Sequence, residues 1–318
     1  MREAYQIVAA EAPWLLAGYA LVFGLCVGSF LNVVIYRLPA GRSVVSPPST
    51  CACGERIRWF DNVPVLSWIL LRGRARCCGQ RIAVRYPAVE LLTGLVFMGI
   101  WLTHPPVVSL VFMLLAAMLI AGGFIDWDTM EIPDVFTVGG FAFALMLSIL
   151  VPAIHGFDSG FWAFDALRAL REALVGGLVG SAILLWIMLF AEVLMRKEAM
   201  GFGDVKLLGA IGGFCGWQGA VFTIFGGAVV GTVLAGIVLL AGAVNQAPPP
   251  PEAEAESEDS SDGESEQTHQ PGALRDEDGL KMPFGPALGI AALVYVLGAA
   301  GPFDAALQTI SEILDGQI

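Results

Sequence analysis

The sequence predicts an all-α polytopic membrane protein with about eight transmembrane helices and an Arg- and Cys-rich loop between the first and the second. Three observations support this fold class. Of the 318 residues, 56% are hydrophobic and only 14% are charged, whereas soluble domains contain about 45–50% apolar and about 25% charged residues. Several apolar runs approach the ~20 residues that an α-helix needs to cross a bilayer. These runs are continuous, which disfavours a membrane β-barrel with alternating segments of about 10 residues.

Eight apolar segments follow one another along the chain. They cover about 14–36, 87–104, 107–126, 135–153, 173–195, 205–217, 219–243 and 284–302. The sixth is short, and the glycines from Gly212 to Gly219 leave its boundary with the seventh open. The first segment is not typical of a cleaved signal peptide, because its apolar run is too long and Glu3 and Glu11 precede it.

Polar segments complete the predicted organisation. The domains are, in order, a first transmembrane helix (1–36), a Cys- and Arg-rich loop (37–86), a membrane core (87–244), an acidic linker (245–281) and a last transmembrane helix with a tail (282–318). The net charge of −12 comes largely from the linker, since residues 251–280 hold eleven acidic residues and one basic residue. That composition buries too little apolar surface to offset chain entropy, so we expect the linker to be disordered.

The distribution of Lys and Arg predicts the orientation in the membrane. Nine of the seventeen basic residues are arginines of the loop 37–86. Eight crossings with this loop inside would place fourteen of the seventeen on the cytoplasmic side, as the positive-inside rule requires. The same topology puts residues 126–134 and 196–206 at the cytoplasmic face.

Two acidic residues stand where apolar segments meet polar chain. Asp126 ends the third segment, and Asp204 follows Gly201 and Gly203 just before the sixth. Ionisable groups at such positions are costly and usually functional. Two close carboxyl groups on one membrane face would share a proton, so that one could deprotonate a water while the other polarises a peptide carbonyl. The glycines would let a substrate backbone approach closely.

Structural roles are the alternative for these acidic residues. Asp204 could cap a helix that starts at Val205. Asp134 is interpreted as the N-cap of the fourth helix, and Asp128 and Glu131 as solvated neighbours. The spacing alone leaves both interpretations open.

The chain resembles the type IV prepilin peptidases, which are polytopic aspartic proteases of the Gly-x-Gly-Asp class. The resemblance covers most of the chain except the acidic linker and the connection 154–172. Its motifs, in the order of the family, are Gly28–Pro39, Asp61–Trp68, Arg85–Leu92, Ile125–Asp126 with Ile132–Asp134, Gly201–Leu208 and Pro283–Pro286.

The resemblance implies a function and a pair of catalytic residues. It implies that Asp126 and Asp204 cleave short, positively charged leaders from type IV prepilins or related pseudopilins, typically after glycine, with no metal needed for the step. The implied setting is the bacterial inner membrane, with the active site facing the cytoplasm. The implied partners are the prepilin or pseudopilin substrate and the lipid bilayer, with no nucleic acid.

Four cysteines of the loop form two clusters. Many family members carry two Cys-x-x-Cys pairs here, and four thiolates suit tetrahedral zinc. This chain departs from that pattern: a single residue separates Cys51 from Cys53, and Cys77 is directly followed by Cys78. The alternatives are a distorted zinc site built from all four cysteines and a degenerate ribbon of reduced thiols. The two other cysteines, Cys26 and Cys215, lie in apolar segments and are interpreted as packing residues.

The resemblance associates the same loop with a second activity, N-methylation of the new N-terminus with S-adenosylmethionine. The sequence contains no glycine-rich signature that supports this cofactor independently, and the altered cysteines weaken the expectation. Glu90, near the start of the second helix, is a candidate contributor; its alternative role is to stabilise the helix dipole.

Three other functions fit parts of the pattern. A Gly-x-Gly-Asp protease with another substrate is opposed by the arginine loop and by the Gly28–Asn32 motif. A transporter could use the two aspartates as a proton relay, but no inverted repeat supports it. The nine arginines would also suit anionic lipid headgroups, although the orientation rule already explains them.

Overall fold

The computed structural model describes residues 11–51, 53–196, 200–244, 275–276, 279–280 and 283–314. The helices are α1 (Pro13–Arg37), α2 (Leu66–Leu70), α3 (Arg85–Thr103), α4 (Pro106–Thr129), α5 (Val138–Leu150), α6 (Trp162–Met195), α7 (Phe202–Val244), α8 (Gly285–Val294) and α9 (Ala300–Leu314). Short 3-10 turns cover Trp59–Asn62 and Pro152–His155, and a π-helical turn at Tyr295–Ala299 joins α8 to α9. Two short strands, β1 (Arg275–Asp276) and β2 (Gly279–Leu280), pair antiparallel.

Six of the described helices are long and apolar enough to cross a membrane. They are Pro13–Arg37, Arg85–Thr103, Pro106–Thr129, Trp162–Leu194, Phe202–Leu240 and Gly285–Leu307, and Val138–Leu150 is a shorter apolar helix. The outer surface is correspondingly apolar: Trp186 and Phe190, for example, are each 72% exposed. These features confirm the predicted polytopic helical membrane protein, with the cysteine loop between α1 and α3. The number of eight crossings stays a prediction.

The 43-residue helix α7 is two antiparallel helical segments that meet at Gly216. A Cβ atom on Gly180 of α6 would lie 2.9 Å from the Cβ of Ala220 and 3.1 Å from the carbonyl oxygen of Leu208. Residues twelve apart in one straight helix are separated by about 18 Å, so the chain must double back between Leu208 and Ala220. Gly216, with φ of 71°, makes this reversal, because glycine adopts positive φ at no steric cost. The open boundary between the sixth and seventh apolar segments therefore lies at Gly216.

Two helices differ in length from the predicted segments. Helix α6 begins at Trp162, so part of the predicted connection 154–172 is helical. Its first turns are amphipathic, and the alanines that recur at helical spacing are buried: Ala166, Ala169 and Ala173. Helix α5 is shorter than the predicted segment 135–153, because the chain turns into a 3-10 helix at Pro152.

Two further expectations concern the linker and the isolated cysteines. Within the predicted linker 245–281 only β1 and β2 are described, and the rest of the expected disordered segment lies outside the described residues. Cys215 is partly buried and packs against the core, as predicted. Cys26 is exposed in α1, so its interpretation as a packing residue is wrong for the described part of the chain.

The core lies between the central helices and fixes the site at one end of the bundle. The side chains of Phe214, Ile100, Leu115 and Ile125 are fully buried. Helix α4 is the most central span, and its apolar residues pack against α3, α7 and α8. Because α4 ends where α3, α7 and α8 begin, the polar ends of four helices meet around the end of α4.

Candidate active site

Asp126 lies in the last turn of α4 and is only 5% exposed. The main-chain N–H of Gly285, at the start of α8, donates a hydrogen bond of 3.1 Å to its Oδ2 atom. Met130 ends the helix in a left-handed conformation, with its N–H bonded to the Asp126 carbonyl oxygen at 2.8 Å. The carboxyl group is therefore held between the end of α4 and the beginning of α8.

Asp204 lies in the first turn of α7 and is 6% exposed. Helix α7 begins at Phe202, so the alternative role of Asp204 as the cap of a helix starting at Val205 is wrong. Its own main-chain N–H donates to the carbonyl oxygen of Gly201 at 3.1 Å. The adjacent Gly203 and the Asp126 carboxylate both lie beside the side chain of Ile132, in the loop after α4. The structure thus brings the two aspartates from separate helices to one buried place.

The two glycines before Asp204 leave space on one side of the site. A Cβ atom on Gly201 would find its nearest neighbour 4.0 Å away, at the main-chain nitrogen of Gly203. A Cβ atom on Gly203 would lie 3.7 Å from the Cβ and Cγ1 atoms of Ile132. Gly201 is thus open, whereas Gly203 faces an apolar wall formed by the loop after α4.

Asp134 joins that loop to α7 by an ion pair. Lys206 Nζ donates to Asp134 Oδ1 at 2.5 Å, and the hydrogen bond and charge of Lys206 lower the pKa of the Asp134 carboxyl. Helix α5 begins only at Val138, with Thr137 at its N-cap. The interpretation of Asp134 as the helix cap is therefore wrong, because Lys206, brought close by the fold, takes its carboxylate.

Asp128 joins the start of α3, where the cysteine loop ends, to the helix that carries Asp126. The guanidinium group of Arg85 donates two hydrogen bonds to the Asp128 carboxylate, of 2.8 and 2.6 Å, and stacks over the Phe124 ring at 5.0 Å. Bidentate pairs of this kind fix geometry as well as charge. Asp128 is consequently a structural partner rather than a solvated neighbour, whereas Glu131 is exposed as predicted.

The four loop cysteines converge in space despite their irregular spacing. All four sulfur atoms lie within 4.8 Å of one another. Cys51 and Cys78 approach to 3.6 Å, Cys53 and Cys77 to 3.3 Å, and the adjacent Cys77 and Cys78 to 3.8 Å. Tetrahedral zinc with Zn–S bonds of about 2.3 Å requires sulfur atoms roughly 3.8 Å apart. The cluster therefore has the dimensions of a four-thiolate zinc site.

Two short turns present these sulfurs to each other. In the first, an isolated bridge pairs Thr50 with Arg56; in the second, Arg74 pairs with Arg81. Because each cluster lies at the tip of a hairpin, the turn absorbs the difference from the Cys-x-x-Cys spacing, which is one residue in the first pair and two in the second. Although Cys77 and Cys78 are adjacent, both sulfur atoms belong to the cluster, because the two residues lie in a turn.

Hydrogen bonds among the four thiols shift the pKa values of Cys51 and Cys77 in opposite directions. Hydrogen bonds from the Cys53 main-chain N–H and from the Cys77 and Cys78 thiols lower the pKa of Cys51 to about 7. Hydrogen bonds with Cys53 and Cys51 raise the pKa of Cys77 to about 12. Cys51 therefore forms a thiolate more easily than Cys77 does, and a thiolate is the form that binds a metal.

Glu90 fastens the same loop to the helices. It is 9% exposed in α3, and it accepts a hydrogen bond of 2.7 Å from the main-chain N–H of Val65, which has a positive φ of 59°. Ser29 of α1 also donates to this carboxylate. Asn32 Nδ2 adds a bond of 3.1 Å to the Tyr86 carbonyl oxygen. Glu90 therefore has a role beyond stabilising the helix dipole, because its carboxylate connects α3 to the loop and to α1.

Sequence reasoning missed three of these contacts. Gly285 belongs to the motif Pro283–Pro286, but only the fold brings it against Asp126. Ile132 and the Arg85–Asp128 pair belong to motifs as well, yet their partners are distant in sequence. Paired charges near the ends of predicted helices were the available signal for the ion pairs.

Two family models match the chain. The bacterial peptidase A24 N-terminal domain matches residues 22–104, which include the cysteine loop. The type IV leader peptidase family matches residues 113–236, which include Asp126 and Asp204.

Several curated relatives are similar over much of the chain. The prepilin leader peptidase/N-methyltransferase of Pseudomonas putida is 33% identical over 302 residues, covering 87% of this chain and 89% of that protein. Its counterpart in Dickeya chrysanthemi is 40% identical over 235 residues, covering 64% of this chain and 76% of that protein. The prepilin leader peptidase/N-methyltransferase of Myxococcus xanthus (strain DK1622) is 38% identical over 233 residues, covering 71% of this chain and 64% of that protein. No solved structure matches the chain.

The fold and the site define a multi-pass helical membrane protein with two buried aspartates at one end of its bundle. The chain belongs to the type IV leader peptidase family. It is a bacterial member that carries the N-terminal domain with the cysteine loop.

Proposed function

We propose that this chain hydrolyses leader peptides of type IV prepilins or pseudopilins at the cytoplasmic face of the bacterial inner membrane, with Asp126 and Asp204 as the catalytic pair. The observation that carries the proposal is the burial of both carboxyl groups, from separate helices, at the end of the bundle where the basic loop lies. The basic loop supports a cytoplasmic orientation for this end.

The proposed mechanism is general acid–base hydrolysis. One aspartate, ionised, takes a proton from a water whose oxygen attacks the carbonyl carbon of the scissile bond. The other, protonated, donates a hydrogen bond to the carbonyl oxygen, as in a pair of carboxyl groups that shares one proton. When the C–N bond breaks, the leaving nitrogen takes a proton and becomes the new amino terminus. Gly201, which faces open space, lets the substrate backbone approach the carboxyl groups, whereas Gly203 keeps the start of α7 close to the loop after α4.

A second activity, N-methylation of that new amino terminus, is also proposed. The observation that favours it is the attachment of the cysteine loop to the helices next to the aspartates, through Glu90 and through the Arg85–Asp128 pair. In this proposal S-adenosylmethionine supplies the methyl group when bound. The loop has a cleft of about 570 Å³ whose lining includes Arg56 and Arg58, and two guanidinium groups suit the carboxylate of that cofactor.

Zinc is proposed as a structural ion of the loop. The sulfur separations of Cys51, Cys53, Cys77 and Cys78 support four-thiolate ligation. These residues would hold the two hairpins together, whereas proteolysis would proceed at the aspartates without a metal.

The test uses the purified full-length chain in lipid vesicles with a prepilin substrate and S-adenosylmethionine. Mass measurement of the product N-terminus distinguishes uncleaved, cleaved and methylated forms. Loss of the leader supports the peptidase proposal, and a further methyl group supports the second activity. An intact prepilin after prolonged incubation with folded enzyme would contradict the first proposal.

A further inference from the structure

An ion pair joins the two segments that carry the buried aspartates. Lys206 lies two residues after Asp204 at the start of α7, and Asp134 lies in the loop that follows α4. Lys206 Nζ donates to Asp134 Oδ1 at 2.5 Å. Among the described residues, no other ion pair joins this loop to α7. The pair therefore links the chain just after the helix of Asp126 to the helix of Asp204.

Further contacts orient both ends of the pair. The fully buried Thr137 donates from Oγ1 to Asp134 Oδ1 at 3.4 Å, and the main-chain N–H of Gly139 donates to the Asp134 carbonyl oxygen at 2.9 Å. On α7, the Lys206 ammonium lies 5.6 Å from the centre of the Phe202 ring, within the range of a cation–π contact. These contacts hold the pair in one arrangement.

The loop that carries Asp134 touches both aspartate-bearing segments. Where the loop begins, the Met130 N–H is bonded to the Asp126 carbonyl oxygen at 2.8 Å. Further along, the Ile132 side chain lies 3.7–3.8 Å from the position of a Cβ atom on Gly203, at the start of α7. An ion pair that fixes this loop against α7 therefore acts on the placement of both segments.

The exposure of the pair separates its effect on position from its effect on stability. The side chain of Asp134 is 69% exposed and that of Lys206 is 30% exposed, and exposed ion pairs contribute little to folding stability. Ile132 and Phe136 pack in the core and hold the loop in place independently of the pair. Reaction rates are more sensitive, since a misplacement of about 1 Å can cost roughly a hundredfold. Loss of the pair should therefore slow the reaction without unfolding the protein.

We infer that Asp134 and Lys206 are positioning residues: their ion pair holds the loop after α4 against α7 and thereby sets the relative position of the two aspartate carboxyl groups. The inference rests on the proposed peptidase function and deepens it. Both residues act through the aspartates and not on the substrate, so their loss should lower kcat and leave KM largely unchanged. The expected fall in kcat is about tenfold, which is smaller than the loss expected for either aspartate.

The experiment measures kcat and KM for cleavage of one prepilin in lipid vesicles, with thermal unfolding of each variant as the folding check. Asp134→Asn and Lys206→Met each remove one charge, and the double variant removes both. Lys206→Arg keeps the charge, and its guanidinium group also pairs with a carboxylate. Glu131→Gln is the matched control, because it neutralises an exposed carboxylate in the same loop.

Each single variant should lower kcat about tenfold. The double variant should lower it no further, because either change alone already breaks the contact. Lys206→Arg should recover most of the activity lost in Lys206→Met, and Glu131→Gln should match the wild type. If Lys206→Met does not fold, the comparison of Asp134→Asn with the control decides.

Three results would overturn the positioning role. They are losses that multiply in the double variant, a kcat of Asp134→Asn equal to that of the control, and a lower Tm with an unchanged kcat of the folded enzyme. The last of these would assign the pair to folding alone. Failure of folded wild-type enzyme to cleave the prepilin would instead overturn the proposed function.

Discussion

The main-chain N–H of Gly285 donates to the Oδ2 atom of Asp126 across 159 residues of sequence, at 3.1 Å. This bond joins the start of α8 to the end of α4, so the position of one proposed catalytic carboxylate depends on the last part of the chain. Only a residue without a side chain fits, because a Cβ atom on Gly285 would lie 2.5 Å from the same oxygen. The motif Pro283–Pro286 therefore has a direct physical relation to the site.

Gly285→Ala should reduce cleavage by displacing the Asp126 carboxylate. A misplacement of about 1 Å can cost roughly a hundredfold in rate, so we expect kcat to fall by about 10- to 100-fold with a smaller change in KM. Gly289→Ala, one turn further along α8, is the matched control: its Cβ would meet Leu119 at 3.7–3.8 Å, an ordinary contact. Kinetics of both variants on one prepilin provide the measurement. Equal activity of the two variants would show that the absence of a side chain at 285 is not needed to position Asp126.

Asp126→Asn and Asp204→Asn should each abolish cleavage while the protein stays folded. General acid–base groups contribute typically about 10²–10⁴-fold, and asparagine can neither give nor take the proton. Asp134→Asn should retain more activity, because the Asp134 carboxylate pairs with Lys206 at the surface. The measurement is prepilin cleavage in membranes, with thermal unfolding of each variant as the folding check. Full activity in either dyad variant would refute the catalytic assignment.

The helices and the acidic pair could be predicted because both follow from local patterns. Continuous apolar runs define where a chain can cross a bilayer, and Asp126 and Asp204 stand at the ends of such runs. The predicted fifth segment starts at 173, whereas α6 starts at Trp162, because charged residues such as Arg168 and Arg171 favour a polar connection in the sequence. The buried face of those turns is made of alanines, whose weak apolar signal is easily missed.

The contacts that complete the site join residues that are distant in sequence. Local sequence patterns therefore cannot predict them. Asp134 follows a proline and precedes a helix, which favours a cap, but Lys206 is a stronger partner for its carboxylate. The irregular spacing of the cysteines likewise disfavours a shared ion, because spacing along the chain says nothing about how the two pairs approach each other in space. Two hairpin tips that face each other make the spacing within each cluster less important than their relative position.

Acidification should destabilise the protein through His155, on the segment between α5 and α6. Its Nε2 atom lies 3.0 Å from Ser148 Oγ, and desolvation by burial lowers the pKa of His155 to about 4. An unfolded histidine has a pKa of about 6.5. The unfolded state therefore binds more protons between these values, and stability falls as the pH decreases from about 6.5 toward 4.

His155→Gln should reduce this loss, because glutamine keeps a polar side chain that does not titrate. The measurement is the difference in Tm between pH 7 and pH 5 for detergent-solubilised protein. His269→Gln is the control, since His269 belongs to the predicted linker. The assignment to His155 would be wrong if both variants showed the same difference as the wild type.

Changing Cys53 and Cys78 together to serine should separate the two proposed chemistries. The double change removes two of four thiolates from the cluster, so structural zinc and the order of the loop should be lost. Methylation should fall, because the loop is the proposed site of that reaction. Cleavage should survive at least in part, since neither Asp126 nor Asp204 lies in the loop.

Metal analysis of the wild type gives the first check on this division. About one zinc per chain is expected for four-thiolate ligation, and none would mean that the converging cysteines act as free thiols.

Cys26→Ser is the matched control, because Cys26 is exposed on α1, outside the cluster. It should leave zinc content, methylation and cleavage unchanged. Mass measurement of the prepilin product reports both reactions in one sample. If the double variant remains folded but stops cleaving, the loop is part of the protease site, because Arg85 and Glu90 would then transmit its loss to the helices around Asp126.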